Sequence, residues 1–226
     1  WSTVGYGNAT NSGTFPSAGD VANIGDGYTV MINAAVNVGT INIGQGVSGT
    51  LEFRSTSNYT VNVSGSVTVN TGARFYYNSA VIRTHQVNVS KNFTNYGQVD
   101  FYVGAGQLVN LSFNTNSNSI VSGTGTWDLN NVTLNKTLST AFTLNVQTST
   151  FESGIRSFIG TYGTYIHNNS GTYLINPTAA TFTIGPNMKY QIPLGTMWFA
   201  SNADNVVIQG EMYITGGTVK IGKTNG

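Results

Sequence analysis

The chain contains no cysteine, and only 8% of its 226 residues are charged. Without cysteine there is neither a disulfide framework nor a thiolate metal site, so packing and backbone hydrogen bonds must hold the fold. The net charge is +1 and lysine and arginine form no run, which argues against nucleic acid as a partner. No apolar run approaches the roughly 20 residues of a membrane-spanning helix, so no direct membrane insertion is expected.

The residues that are abundant favour β-structure. Hydrophobic residues make up 39% of the chain, aromatics 12%, and there are 28 glycines. β-Branched residues dominate the apolar positions, while serine, threonine and asparagine fill most polar ones. This mixture is typical of strands separated by tight turns, and its apolar content is high enough that disorder is not expected.

A triplet of short apolar-polar strands recurs along the chain. The triplet at 61–63, 67–69 and 73–76 reappears 26 residues later at 87–89, 93–95 and 99–102. First strands of successive triplets begin at residues 36, 61, 87, 109 and 132, a mean spacing of 24 residues. That spacing is too short for helical repeats of about 33 residues. It predicts an all-β fold, a single-stranded parallel β-helix (β-solenoid) with about three short strands per coil.

The C-terminal half loses the motif but keeps its spacing. Apolar residues there fall six to nine residues apart, so three steps make about one coil: Tyr165, Tyr173, Phe182, Tyr190, Met197, Val206, Met212 and Val219.

Alternation within the strands predicts one buried and one solvent-facing ladder on the same wall. The expected internal ladder consists of Phe53, Phe75, Phe101 and Leu129. The expected external ladder consists of Glu52, Arg74, Asp100 and Asp128, with the arginine between two acids.

The two ends of the chain differ in pattern. Residues 1–30 are irregular and are predicted to form an N-terminal cap, and residues 31–226 are predicted to form the β-helix. The coil pattern persists to the last residues, so the solenoid is expected to continue beyond Gly226. An uncapped coil exposes unpaired backbone groups, which makes self-association through the solenoid ends a possible interaction.

An ordered series of short segments carries a family resemblance: Trp1, Pro16-Ser17-Ala18-Gly19-Asp20, Gly27-Tyr28-Thr29-Val30, Gly49-Thr50-Leu51-Glu52-Phe53 and Gly125-Thr126-Trp127-Asp128-Leu129-Asn130. The series resembles the starts of large β-helical bacterial cell-surface proteins and adhesins, many of which are cargo of the type IX secretion system. The resemblance implies a secreted, extracellular protein at the bacterial cell surface.

The external ladder is the best candidate for a functional surface. Clustered Asp and Arg on one outer wall are typical of polysaccharide lyases and hydrolases built on β-helices, and paired carboxylates can serve as acid and base. Alternation of charge sign along the ladder also follows from avoidance of like-charge contacts. We therefore assign no catalytic residue and expect outer-wall binding through Glu52, Arg74, Asp100, Asp128, Tyr102 and Trp198.

Other chemistry finds little support in the sequence. The eight acids are scattered and no calcium repeat is present, so neither a metal site nor a cofactor is expected. His85 and His167 have no acidic neighbour in sequence and are expected to be solvated corner residues.

Three functions remain open. The leading hypothesis is a secreted adhesin or structural scaffold whose β-helical stalk binds weakly and multivalently to a surface polysaccharide or to other cell-surface proteins. The second is a self-associating filament or surface-layer subunit. The third is a carbohydrate-active β-helix enzyme, either a lyase or a hydrolase.

Overall fold

The computed structural model describes residues 16–137, 139–175, 181–200 and 205–222. These residues form strands β1 to β24 and the short helix α1. Nearly all strand pairs are parallel, and they coil into a β-solenoid of about eight turns with about 24 residues per turn. The predicted parallel β-helix is therefore confirmed. Nowhere in the described ranges is a helix long and apolar enough to cross a membrane.

Three walls, which we call A, B and C, follow one another in each coil. Wall A is continuous over all turns and comprises β1 (Val21–Ile24), β4 (Thr40–Ile43), β7 (Val67–Val69), β10 (Phe93–Asn95), β14 (Ser119–Ser122), β16 (Thr143–Val146), the second half of β17 (Ile155–His167), β20 (Met188–Ile192) and β23 (Glu211–Ile214).

Wall B is interrupted once, by α1 (Ser149–Ser153). Before the helix it comprises β2 (Thr29–Ile32), β5 (Thr50–Phe53), β8 (Arg74–Tyr76), β11 (Gln98–Asp100) and the first part of β15 (Thr126–Asn135). The helix packs against both β15 and β18. Beyond it, wall B continues as a three-stranded sheet of β18 (Thr172–Ile175), β21 (Thr196–Phe199) and β24 (Thr218–Ile221).

Wall C closes each coil and carries the one antiparallel pair among the described strands. It comprises β3 (Val36–Val38), β6 (Thr60–Val63), β9 (Arg83–Val89), β13 (Gln107–Phe113), the second part of β15 and the first half of β17, and it continues as β19 (Thr181–Ile184) and β22 (Asn205–Ile208). Strand β12 (Tyr102–Gly104) folds back on β13 as a hairpin at the corner between walls B and C.

The core is one continuous apolar interior that runs along the solenoid axis, because alternate side chains of every wall point inward. In β7, for example, Val67 and Val69 are fully buried while Thr68 faces outward. Aromatic rings meet between coils, as where Phe75 and Phe101 pack edge to face with centroids 4.9 Å apart. Burying each such side chain contributes roughly 1.5–3 kcal/mol.

Coil corners rely on glycine where the backbone enters the left-handed region. Gly72 has a φ of +75°, and a Cβ at this position would collide with the carbonyl oxygen of Val47 in the preceding coil. Only glycine meets both requirements, the positive φ and the close approach of two coils.

The spacing predicted for the C-terminal half is confirmed as three interior columns, one for each wall. Their members align in register: Tyr165 with Tyr190 and Met212, Tyr173 with Met197 and Val219, and Phe182 with Val206.

The predicted internal ladder on wall B is wrong at one position. Phe75 aligns with Leu51 and Val99, not with Phe53 and Phe101. A two-residue shift keeps every side chain on its face, so alternation alone could not detect it.

A shift of the same size occurs on wall C. There Leu111, not Val109, aligns with Val87.

Two strands lie within the segment expected to be the cap. Strand β1 pairs in register with β4, and β2 pairs with β5, so residues 21–32 already form coil walls. Residues 1–15 lie outside the described residues, and a cap there stays a prediction.

Candidate functional site

The outward column of wall B gathers most of the charged residues singled out in the sequence. From coil to coil it contains Met31, Glu52, Tyr76, Asp100 and Asp128. The expected place of Arg74 between two acids is therefore wrong, since Tyr76 occupies that position. Its hydroxyl donates a hydrogen bond of 3.0 Å to Oε2 of Glu52.

Arg74 lies in the adjoining column of wall B. It aligns with Thr50 in one neighbouring coil and Gln98 in the other. Its guanidinium lies over the ring of Tyr76, 4.6 Å from the centroid. The arginine thus remains beside the acids, although it does not alternate with them.

Asp100 and Asp128 occupy directly opposed positions on β11 and β15, where neighbouring strands lie about 4.8 Å apart. Partial burial and then the negative charge of Asp128 raise the pKa of Asp100. A hydrogen bond from the Tyr102 backbone and the charges of Arg74 and Arg156 act in the opposite direction. Two close carboxyls with unequal environments are thus the main electrostatic feature of this wall.

Arg156 completes the cluster and was missed in the sequence. It pairs with the carboxylate of Asp128, donates to the carbonyl of Leu129 at 3.3 Å, and lies 3.9 Å from the ring centroid of Tyr102. Arg156 and Asp128 are each 44% exposed, so the pair is worth about 0–1 kcal/mol. Arg156 follows Asp128 by 28 residues, which is close to one coil. This spacing was the only feature of the sequence that could have indicated their pairing.

Trp198 lies on wall B but on the far side of α1 from the acids. It aligns with Leu174 and Lys220, its ring lies 5.4 Å from the Lys220 amine, and its indole donates to the Gly222 carbonyl at 3.2 Å. The predicted site residues therefore form two groups: one on wall B before α1, with Tyr102 at its corner with wall C, and Trp198 on wall B beyond the helix. In both groups an outward aromatic ring lies beneath a cation, which leaves less of its surface free for a sugar ring.

The expectation of solvated corner histidines is wrong, because His85 and His167 are both fully buried. His85 sits on β9 among aromatic rings, with centroid distances of 4.5 Å to Phe53 and 4.6 Å to Tyr77. Its Nδ1 accepts a hydrogen bond from the Tyr59 backbone at 3.1 Å, and its buried Nε2 has no partner. Burial, and secondarily the charge of Arg83, lower the pKa of His85 to about 4.

His167 belongs to a buried polar network centred on Glu152 of α1. Oε1 of Glu152 lies 2.7 Å from Nδ1 of His167 and accepts a hydrogen bond of 2.7 Å from the Tyr165 hydroxyl. Oε2 accepts one of 2.9 Å from the Asn169 amide. Nε2 of His167 faces the Gly171 carbonyl at 3.2 Å. All four side chains are less than a tenth exposed, so the network is structural and closed to large ligands.

A cavity of about 460 Å³ lies at the N-terminal end of the solenoid and is apolar. Its lining includes core residues of the first coils: Ala22, Ile24, Val30, Ile32, Val38 and Ile41. None of the wall B acids contributes to it. Across the described ranges, no three His, Asp or Glu side chains are grouped in a way that could hold a metal ion.

Comparison with known proteins does not assign the chain to a family. No protein-family model matches the chain, and neither a curated protein nor a solved structure shows significant similarity to it.

Proposed function

We propose that this protein is a secreted cell-surface adhesin or structural scaffold that binds surface polysaccharide through weak contacts repeated along its walls. The observation that carries the proposal is the register of wall A, in which each strand from β1 to β23 aligns with the next without a bulge. Equivalent outward side chains therefore recur about every 4.8 Å. A repeating ligand can meet a repeating surface at many points at once.

Multivalency makes such contacts effective even when each is weak. Once one contact is formed, the next is intramolecular, and avidity can exceed the single-site affinity by about 10²–10⁴. The wall B cluster suits binding because Asp128 is already paired with Arg156 and the cluster lies on an open face.

A glycan array followed by binding kinetics on surfaces of different glycan density tests this function. We expect binding to at least one polysaccharide class, with dissociation slowing strongly as the density of immobilised glycan rises. Density-independent, one-to-one binding, or no binding to any glycan, would contradict the proposal.

One observation favours a second candidate, a polysaccharide lyase or hydrolase. Asp100 lies directly opposite Asp128, and partial burial together with the Asp128 charge raises the pKa of Asp100, as a general acid requires. Assays for reducing ends and for unsaturated products, with the bound polysaccharide as substrate, separate the two functions. Turnover that is lost in Asp100→Asn but kept in the matched Glu52→Gln variant would establish the enzyme and displace the adhesin.

A further inference from the structure

Charge is distributed unevenly among the walls. The outward positions of the first seven strands of wall A, from β1 to β17, contain no charged residue; charges appear on this wall only at Lys189 in β20 and Glu211 in β23. Wall B, by contrast, carries Glu52, Asp100 and Asp128 in one column. Wall A therefore offers an extended neutral face on a chain that has charges elsewhere.

Part of the neutral face is polar and regular. One of its columns runs through five successive coils and contains only amides and hydroxyls: Asn23, Asn42, Thr68, Thr94 and Ser122. All five side chains reach solvent. The column presents one hydrogen-bonding group per coil at about 4.8 Å intervals.

This column keeps hydrogen-bonding capacity for a ligand. Asn42 donates to Asn23 at 2.8 Å, and the hydroxyls of Thr94 and Ser122 lie 3.2 Å apart. Among the described residues the Thr68 hydroxyl between these pairs has no hydrogen-bond partner. The column is thus only partly satisfied by its own members.

Wall C provides the contrast. Its first three coils form a closed amide ladder, in which Asn62 donates to Asn37 at 2.8 Å and Asn88 donates to Asn62 at 2.7 Å. Amides that bond to one another along the axis have fewer free groups for a ligand.

We propose that wall A binds an uncharged polysaccharide whose chain lies along the solenoid axis. This inference rests on the proposed function and names the class of glycan and the wall. Amides and hydroxyls exchange hydrogen bonds with sugar hydroxyls, whereas an anionic polymer would lose hydration here without gaining a counter-charge. Because no ion pair forms, binding is insensitive to salt.

Co-sedimentation with microcrystalline cellulose and with chitin, at low and high salt, tests the proposal. We expect the protein to bind at least one of these neutral polymers equally in both salts. The double variant Thr68→Lys/Thr94→Lys places two charges on wall A and should weaken binding at least about tenfold, which is about 1.4 kcal/mol. The matched control Thr60→Lys/Thr133→Lys adds the same charges to outward positions of wall C and should bind as the wild type does.

A milder variant guards against misfolding. Thr94→Val removes one hydroxyl at nearly constant shape and should also reduce the bound fraction, with an unchanged circular dichroism spectrum. Equal losses in the wall A and wall C lysine variants would overturn the assignment to wall A.

The polymer that is bound separates the two proposals. Binding to soluble polygalacturonate but to neither neutral polymer would overturn this inference and leave the proposed function intact. Failure to bind any glycan would remove both.

Discussion

Two regions of the interior differ in how their buried ionisable side chains are partnered. One is the set of coils before helix α1, and the other is the coil that contains the helix. In the earlier coils, His85 is buried without an ion-pair partner among the described residues. The buried Lys136 amine donates to the Ser117 carbonyl at 2.9 Å and the Ser119 hydroxyl at 2.7 Å and lies 5.9 Å from the ring centroid of Phe113. At the helix, Glu152 is buried with three side-chain partners.

The difference shows how each region accommodates a group that can carry charge. Burial lowers the pKa of His85 to about 4 and that of Lys136 to about 8, so both isolated groups are shifted towards their neutral forms. At the helix Glu152 is bonded to three buried side chains, and burial, followed by the negative charge of Glu152, raises the pKa of Tyr165. An isolated ionisable group thus makes the free energy of unfolding depend on pH. In a network, the free energy of unfolding depends instead on the presence of each hydrogen-bonding side chain.

Removing the centre of the network should have the largest effect. Glu152→Ala leaves His167, Tyr165 and Asn169 without their shared acceptor, and we expect it to lower the free energy of unfolding by about 3–5 kcal/mol. Urea denaturation at neutral pH measures this, with Ser153→Ala, an exposed position on the same helix, as the control. A loss below about 1 kcal/mol would show that the network contributes little.

The second largest effect is expected at His85, where lowering the pH should reduce the free energy of unfolding. The folded-state pKa of about 4 lies below the ordinary 6.5, so the unfolded chain takes up the proton first and stability falls as pH falls between these values. Relative to His85→Phe, the wild type should lose up to about 3 kcal/mol from pH 6.5 to pH 4. Parallel pH profiles of the two proteins in chemical denaturation would contradict the isolated character of His85.

The smallest effect is expected at the isolated lysine. Lys136→Met removes a buried charge but also leaves Ser117 and Ser119 without a donor, so it should raise the unfolding free energy at pH 7 by only about 1 kcal/mol. The folded pKa of Lys136, about 8, lies below the ordinary 10.5, so wild-type stability should rise with pH between these values. Thermal unfolding across that range should show the variant's advantage shrinking; an advantage that is constant with pH would exclude the buried charge as its cause.

The sequence predicted the strands better than their partners. The coil length, the three strands per coil and the columns through Tyr165, Tyr173 and Phe182 follow from spacing and are confirmed. The neighbours of Arg74 and Val109 do not follow, because both errors are shifts of two residues that leave the inward and outward faces unchanged.

The candidate site was only partly accessible from sequence for the same reason. Glu52, Asp100 and Asp128 could be placed on one outward column because each lies within a recognisable strand. Arg156 follows a helix that replaces a strand, so no local motif indicated its pairing with Asp128. Its position one coil later was the only guide.

By itself, the sequence determined that this chain is a β-solenoid, because the alternation of apolar residues and the repeat length are local properties that survive small errors of alignment. Only the tertiary structure decided which side chains meet between coils and which polar groups are buried. Corner lengths set the register, and register brings together residues about 24 positions apart. The neutral wall A, the charged wall B and the network at Glu152 are all products of that register.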